Sequence, residues 1–352
     1  MLNIVQTSKK KILDVGQTVK RNISILIMFL PLLSFVIPFI VLYYLYPSSF
    51  EETWQGRTYY LFFIWLVFLE TILNWGGLQT TKINKLRSKR TVGFIISLFF
   101  PTVYVLIANF LGLNSAIMHL YMQHMGPGHE WWAYLMPLSI EYLVFGAMFT
   151  IINVITYGKR NLAHFSISTS FLFAIGAIYI MDNLYPNGSF TPFQILVQPT
   201  ATLAANFLNL IGYQTRFLTP ALPGVPRLKA WNSVGVTTYF DIGWPCAGVE
   251  SLLLYTITIL LFLKKSDIPW KQMVIYFIFG AIVTYFINIL RISTIFVISI
   301  NTGGGYTIPT QRFHEYYGQL YSIIWIISYP LIMIGSRALW KKIKNRNLLK
   351  RA

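Results

Sequence analysis

The stretch Met273–Ile300, MVIYFIFGAIVTYFINILRISTIFVISI, contains a single charged residue, Arg291. A bilayer's hydrocarbon core is about 30 Å thick and takes about 20 apolar residues at a rise of about 1.5 Å each, so this stretch is long enough to cross it. A guanidinium inside such a run is costly and faces a cavity or a partner. Arg291 lies roughly 13 Å below Ile300 along the helix.

Seven further runs of spanning or near-spanning length lie at about Ile23–Tyr46, Tyr59–Trp75, Thr91–Leu113, Trp132–Tyr157, Phe165–Met181, Cys246–Leu263 and Tyr317–Leu339. They predict an all-α polytopic membrane protein with about eight transmembrane helices. Of the 352 residues, 55% are hydrophobic and 11% charged. That charged share is less than half the average for soluble domains and excludes a water-soluble enzyme. A ninth stretch, Phe193–Tyr213, carries Gln194, Gln198, Pro199, Asn206 and Asn209. It is too polar to face lipid and fits an element half-buried on the outer side.

The net charge of +17 is explained by topology. With eight spans and both termini cytoplasmic, the basic residues collect in 1–22, in 76–90, at Lys159 and Arg160, at Lys264, Lys265 and Lys271, and from Arg337 onward. Only Arg57, Arg216, Arg227, Lys229 and Arg312 fall outside, with Arg291 in a span, as the positive-inside rule requires. The basic end KKIKNRNLLKR reads as a topology anchor, and no nucleic-acid partner is expected. At the other end, Lys9, Lys10, Lys11, Lys20 and Arg21 precede the first run without a small-residue cleavage site, which reads as a retained signal anchor.

This topology leaves one long outer segment, Asp182–Pro245, rich in Pro and Gly. Its later part, RLKAWNSVGVTTYFDIG, reads as a short hairpin around Asn232-Ser233 and makes a cap over the outer mouth. The division expected is residues 1–180, an N-terminal five-helix membrane region, and 181–352, the outer cap plus a three-helix catalytic region, in one integral membrane domain.

Three residues near the outer ends of the last three spans carry chemistry. Cys246, the only cysteine, stands in GWPCAGVES with Pro245 suited to a helix's first turn, where unpaired N–H groups favour thiolate. Arg291 can stabilise an oxyanion or form an ion pair with Glu250, Glu141 or Glu70. His314, in TIPTQRFHEYYGQLYS just outside the eighth span, can exchange protons near neutral pH. Converging on one outer-leaflet pocket, they would supply a nucleophile, an oxyanion stabiliser and a proton carrier.

At these residues the sequence resembles the exosortase/archaeosortase family of membrane-embedded cysteine transpeptidases, with a composition closer to its archaeal branch. The matching pieces are CAGVES (Cys246 to Ser251), NILR (Asn288 to Arg291) and FHEYYG (Phe313 to Gly318), in order, over about residues 190–340. Cys246 is followed by Ala247 and Gly248 where the family often has Ser and Gly. The resemblance implies Cys246, Arg291 and His314 as catalytic residues, with Arg312 as an alternative to His314, and with Glu250, Asn288 and Gly248 as supporting or substrate-binding residues. It implies a substrate class of secreted or surface proteins bearing a C-terminal motif, a transmembrane helix and a basic tail. These would be cut on the extracytoplasmic side of the cytoplasmic membrane, with transfer of the new carboxyl end to a lipid amine. No cofactor or metal is expected.

Two rival readings stand beside it. His119, His124 and His129, expected in one outer loop, could hold a metal for a membrane protease, although a spacing of five does not place them on one helical face. Glu70 and Glu141 inside spans could mark a proton-coupled transporter, although no paired broken half-helices accompany them.

Overall fold

A computed structural model describes residues 29–52, 54–74, 89–186, 194–222, 224–264 and 268–349. The basic segments 1–22 and 76–88, and Ile23–Met28 at the head of the first apolar run, lie outside the described residues. The chain divides into two compact units, one of Met1–Phe50 with Tyr59–Ala177, the other of Glu51–Thr58 with Ile178–Ala352.

The first unit is helical among its described residues: α1 (Val36–Leu45), α2 (Thr58–Leu73), α3 (Lys89–Leu98), α4 (Phe100–Phe110), α5 (Leu113–Met125), α6 (Glu130–Tyr157) and the first part of α7 (Ser166–Leu184). Lipid tails are as apolar as leucine, so helices in a bilayer associate through close packing. Here aromatic rings supply it. Phe35 meets Phe63, Phe145 and Phe149 edge-on at 5.4–5.9 Å, and Phe39 stacks on Tyr60 at 4.7 Å. Gly176 of α7 lets α6 approach so closely that a Cβ there would come within 2.7 Å of the Leu143 side chain.

The second unit contains α8 (Val197–Leu210), the antiparallel sheet β1 (Gln214–Leu222), β2 (Val225–Trp231) and β3 (Thr237–Asp241), then α9 (Val249–Lys264), α10 (Trp270–Asn301), α11 (Ile308–Arg312) and α12 (Gly318–Leu349). The β2–β3 hairpin forms where the sequence places it. Asn232 Oδ1 accepts the Val234 and Val236 N–H groups, and Gly235 at φ +90° supplies the left-handed residue that closes such a loop. β1 was not foreseen; it pairs with β2 from Gln214↔Trp231 to Leu218↔Arg227 and makes the cap a three-stranded sheet.

An all-α polytopic architecture with a small sheet is what the structure shows. Among the described residues, five helices have spanning length and hydropathy: Val92–Phe110, Glu130–Tyr157, Lys159–Leu184, Trp270–Asn301 and Ile308–Trp340. Phe29–Leu45 and Thr58–Leu73 are apolar but shorter. The run expected at Cys246–Leu263 is helical only over the 16 residues of α9, because Gly248, at φ +86°, interrupts the chain before the helix starts. α8, with 14 residues, reaches about 21 Å, less than the hydrocarbon thickness, as the polar Phe193–Tyr213 stretch suggested. The expected loop bearing His119 and His124 is instead α5, bracketed by Gly112 and Gly126 at φ +83° and +76°.

Candidate active site

β3 runs into a short 3-10 turn, Trp244–Ala247, that carries Cys246. Trp244 is fully buried and meets Trp54 edge-on at 5.2 Å, which anchors the turn. Pro245 begins this turn rather than α9, and left-handed Gly248 separates the turn from the helix. Cys246 is therefore not on the first turn of a spanning helix, and the dipole argument drawn from the sequence does not apply to it. Its surroundings come from α10 and the start of α12.

Asn288 and Arg291 are three residues apart on α10 and share a face. Asn288 Nδ2 donates to the Cys246 carbonyl at 2.9 Å and fixes the height of the turn. A Cβ on Gly248 would lie 3.0 Å from the Asn288 amide, so this glycine is needed both for its positive φ and for the close approach of α10. Arg291, 6% exposed, donates from Nη2 to the backbone carbonyl of His314 at 3.0 Å.

The last helix starts before Tyr317 and takes in His314, which was expected just outside it. The histidine sits on a π turn, Phe313–Tyr317, inside the continuous helix Ile308–Trp340. Such single π turns change which side chains face inward and cluster at functional sites. Gly318, at the end of the π turn, leaves room for Arg291: a Cβ there would lie 3.0 Å from Arg291 Cγ and Nε. The glycine four residues beyond the histidine thus has a mechanical reason that involves the arginine. His314 Nε2 stands 3.9 Å from Cys246 Sγ, and His314 Nδ1 stands 3.4 Å from the Tyr306 hydroxyl. Tyr306 lies between α10 and α11, and burial together with the Glu315 carboxylate pushes its phenol up to about 12, so it remains an O–H group throughout the neutral range.

Cys246, Arg291 and His314 line one cavity of about 290 Å³, walled by Phe240, Ile242, Ile292, Ile295 and Phe296, with Asp241 and Tyr306 completing it. Asp241 is held by a two-pronged ion pair with Arg227, both contacts at 2.7 Å. The three residues singled out in the sequence as chemistry-bearing are therefore together. Arg312, the alternative to His314, is exposed on α11 and does not line this cavity. Glu250 is buried in the first turn of α9, and Ser251 beside it bonds to Ser322 at 3.2 Å.

Tyr306, Asp241 and the apolar wall were not found by reading the sequence. Their types carry no motif, and β3 and the glycine turn bring them to the cavity only in three dimensions. The residues behind the two rival readings lie elsewhere. Glu70 accepts the Ile167 and Ser168 N–H groups and the Ser168 hydroxyl, and Glu141 accepts the Tyr60 hydroxyl at 2.8 Å. His124 Nδ1 faces its own helix at the Leu120 carbonyl.

The family model for the transmembrane exosortases matches residues 116–332. The chain belongs to the transmembrane exosortase family. That match spans both units and contains the Cys246 turn, the Arg291 helix and the His314 π turn. Comparison with curated proteins and with solved structures gives no match. Membership in the exosortase family implies a membrane transpeptidase of protein sorting, acting on secreted proteins with C-terminal sorting signals.

Proposed function

We propose that this exosortase is a cysteine transpeptidase in which Cys246 is the nucleophile, His314 the proton carrier and Arg291 the oxyanion stabiliser. One observation carries the reading: the only thiol of the chain lies 3.9 Å from an imidazole nitrogen, in a cavity that the buried Arg291 also lines. This separation is longer than a formed hydrogen bond, as is common before substrate closes a site.

In the first half-reaction the Cys246 S–H proton passes to His314 Nε2 as sulfur bonds to the scissile carbonyl carbon. Arg291 donates to the oxygen as it gains charge. The C–N bond then breaks, His314 returns the proton to the leaving amine, and a thioester remains. In the second half-reaction His314 takes a proton from the acceptor amine, whose nitrogen attacks the thioester, and the thiol is regenerated. Accepting at Nε2 requires hydrogen on Nδ1, where Tyr306 oxygen can receive it. A base oriented by a third group is the arrangement nucleophilic sites require.

The fine points of this proposal are that the substrate brings a spanning helix and basic tail, that the site faces the extracytoplasmic side with both termini cytoplasmic, and that the acceptor is a lipid amine. The cationic segments at 1–22 and from Arg337 onward support the topology. Mass spectrometry of the mature C-terminus of surface proteins tests the whole. Cells with the native chain should yield a shortened, lipid-modified terminus, and cells with Cys246→Ala should retain the full-length tail while the protein stays inserted. Normal processing by Cys246→Ala would remove the nucleophile.

A further inference from the structure

The sheet has two edges, and they are treated differently. On β1 the ladder becomes irregular between Leu218 and Leu222, around Pro220. A proline and an irregular register are the devices by which proteins stop an edge from pairing with another chain. β3 has neither.

The register shows what β3 presents. Ile242 N–H donates to the Pro226 carbonyl and Asn232 N–H to the Val236 carbonyl. Pairs that exchange bonds alternate in an antiparallel ladder, so Thr238, Phe240 and Ile242 point their backbone groups at β2. Thr237, Tyr239 and Asp241 point theirs the other way. Gly304, at φ +90°, passes close to the first of these: a Cβ on it would lie 2.5 Å from the Thr237 carbonyl. The glycine turn therefore closes the beginning of the edge. Among the described residues, nothing bonds to the backbone N–H or C=O of Tyr239 or Asp241. That leaves two donors and two acceptors in a row.

This open part leads into the cavity. Phe240, Asp241 and Ile242 line it, and four residues after Ile242 the same chain delivers Cys246. We propose that the free edge of β3 is the substrate-binding edge: an extended peptide segment pairs with the backbone of Tyr239 and Asp241 as a fourth strand, and its continuation carries the scissile bond to Cys246. Backbone pairing gives affinity with little sequence demand, and selectivity falls to alternate side chains of the peptide, which lie on the Phe240–Ile242 face and enter the apolar cavity. The occupant is a peptide in extended form, not a helix. The inference rests on Cys246 marking the reaction site.

The test uses the full chain carrying Cys246→Ala in lipid nanodiscs, so that binding is read without chemistry. A random decapeptide library is selected on it, and the tightest binder is resynthesised with one N-methyl amide at each position in turn. Strand pairing predicts that two positions, two residues apart, weaken binding by about tenfold when methylated, with the position between them unaffected. Tyr239→Pro removes one edge donor and no bond to β2, so binding should weaken at least about tenfold while the amides of Leu228 and Phe240 keep their slow exchange. If that variant does not fold, exchange at the Tyr239 and Asp241 amides decides, since bound peptide should slow both by about tenfold or more. No binder, uniform or absent sensitivity to N-methylation, unslowed exchange at these two amides, or periodic sensitivity that survives Tyr239→Pro would each overturn the edge. Failure of Cys246→Ala to block processing would overturn the nucleophile and leave these binding results standing.

Discussion

The two units bury ionisable groups in opposite ways. In the first, Glu70 and Glu141 are almost completely buried, and their oxygens are taken up by the start of a neighbouring helix and by a tyrosine. In the second, Arg291 is buried too, though it keeps 6% of its surface, and it lines a cavity beside a thiol and an imidazole. A buried charge is thus not by itself a mark of function. A charge whose neighbours form a tied-off network holds helices together, whereas one beside an open volume is placed for something that arrives.

Substitutions can sharpen or break that contrast. In the second unit, His314→Ala should cut turnover by about 10²- to 10⁴-fold, the range for removing a positioned acid–base group, while Arg312→Ala should leave processing near normal. A pulse-chase of precursor conversion would read both, and equal losses would dissolve the distinction between the two residues. Arg291→Lys should lose about 10²- to 10³-fold, because a compact ammonium cannot hold the His314 carbonyl and also reach the developing oxyanion. Full activity with lysine would return Arg291 to a structural role like that of Glu70. Tyr306→Phe should have a smaller effect, about tenfold in turnover with the amount of folded protein unchanged, since it removes only the group at Nδ1. In the first unit, Glu70→Gln should leave turnover per folded molecule unchanged and cost about 1–3 kcal/mol, read as a lower unfolding midpoint in detergent, because the Ile167 and Ser168 donors lose their carboxylate. A large loss of turnover there would mean that the first unit takes part in the chemistry.

Several features were legible before any coordinates. The runs of apolar residues give the class, because hydrocarbon tolerates a backbone only when its polar groups are bonded internally. Arg291 was conspicuous because it is expensive where it is, and the alternating, β-branched residues around Asn232-Ser233 announced the hairpin. The helix start at Val249 was misplaced by three residues because Pro245 is equally suited to open a 3-10 turn, and only the left-handed Gly248 decides between them. His314 was placed just outside the last span because nothing local announces a π turn, which depends on how α12 packs against Arg291.

The sequence by itself determined a membrane-spanning helical chain and the family motifs, and it singled out Cys246, Arg291 and His314 for the proposed chemistry, since hydropathy and residue chemistry are properties of the chain alone. Only the tertiary structure decided that the thiol and imidazole stand 3.9 Å apart, that His314 rather than Arg312 faces them, and that Tyr306 and the edge of β3 belong to the same cavity. These depend on contacts between segments 40 or more residues apart, such as Asn288 to Cys246 and Tyr306 to Phe240, and no local pattern encodes such a meeting.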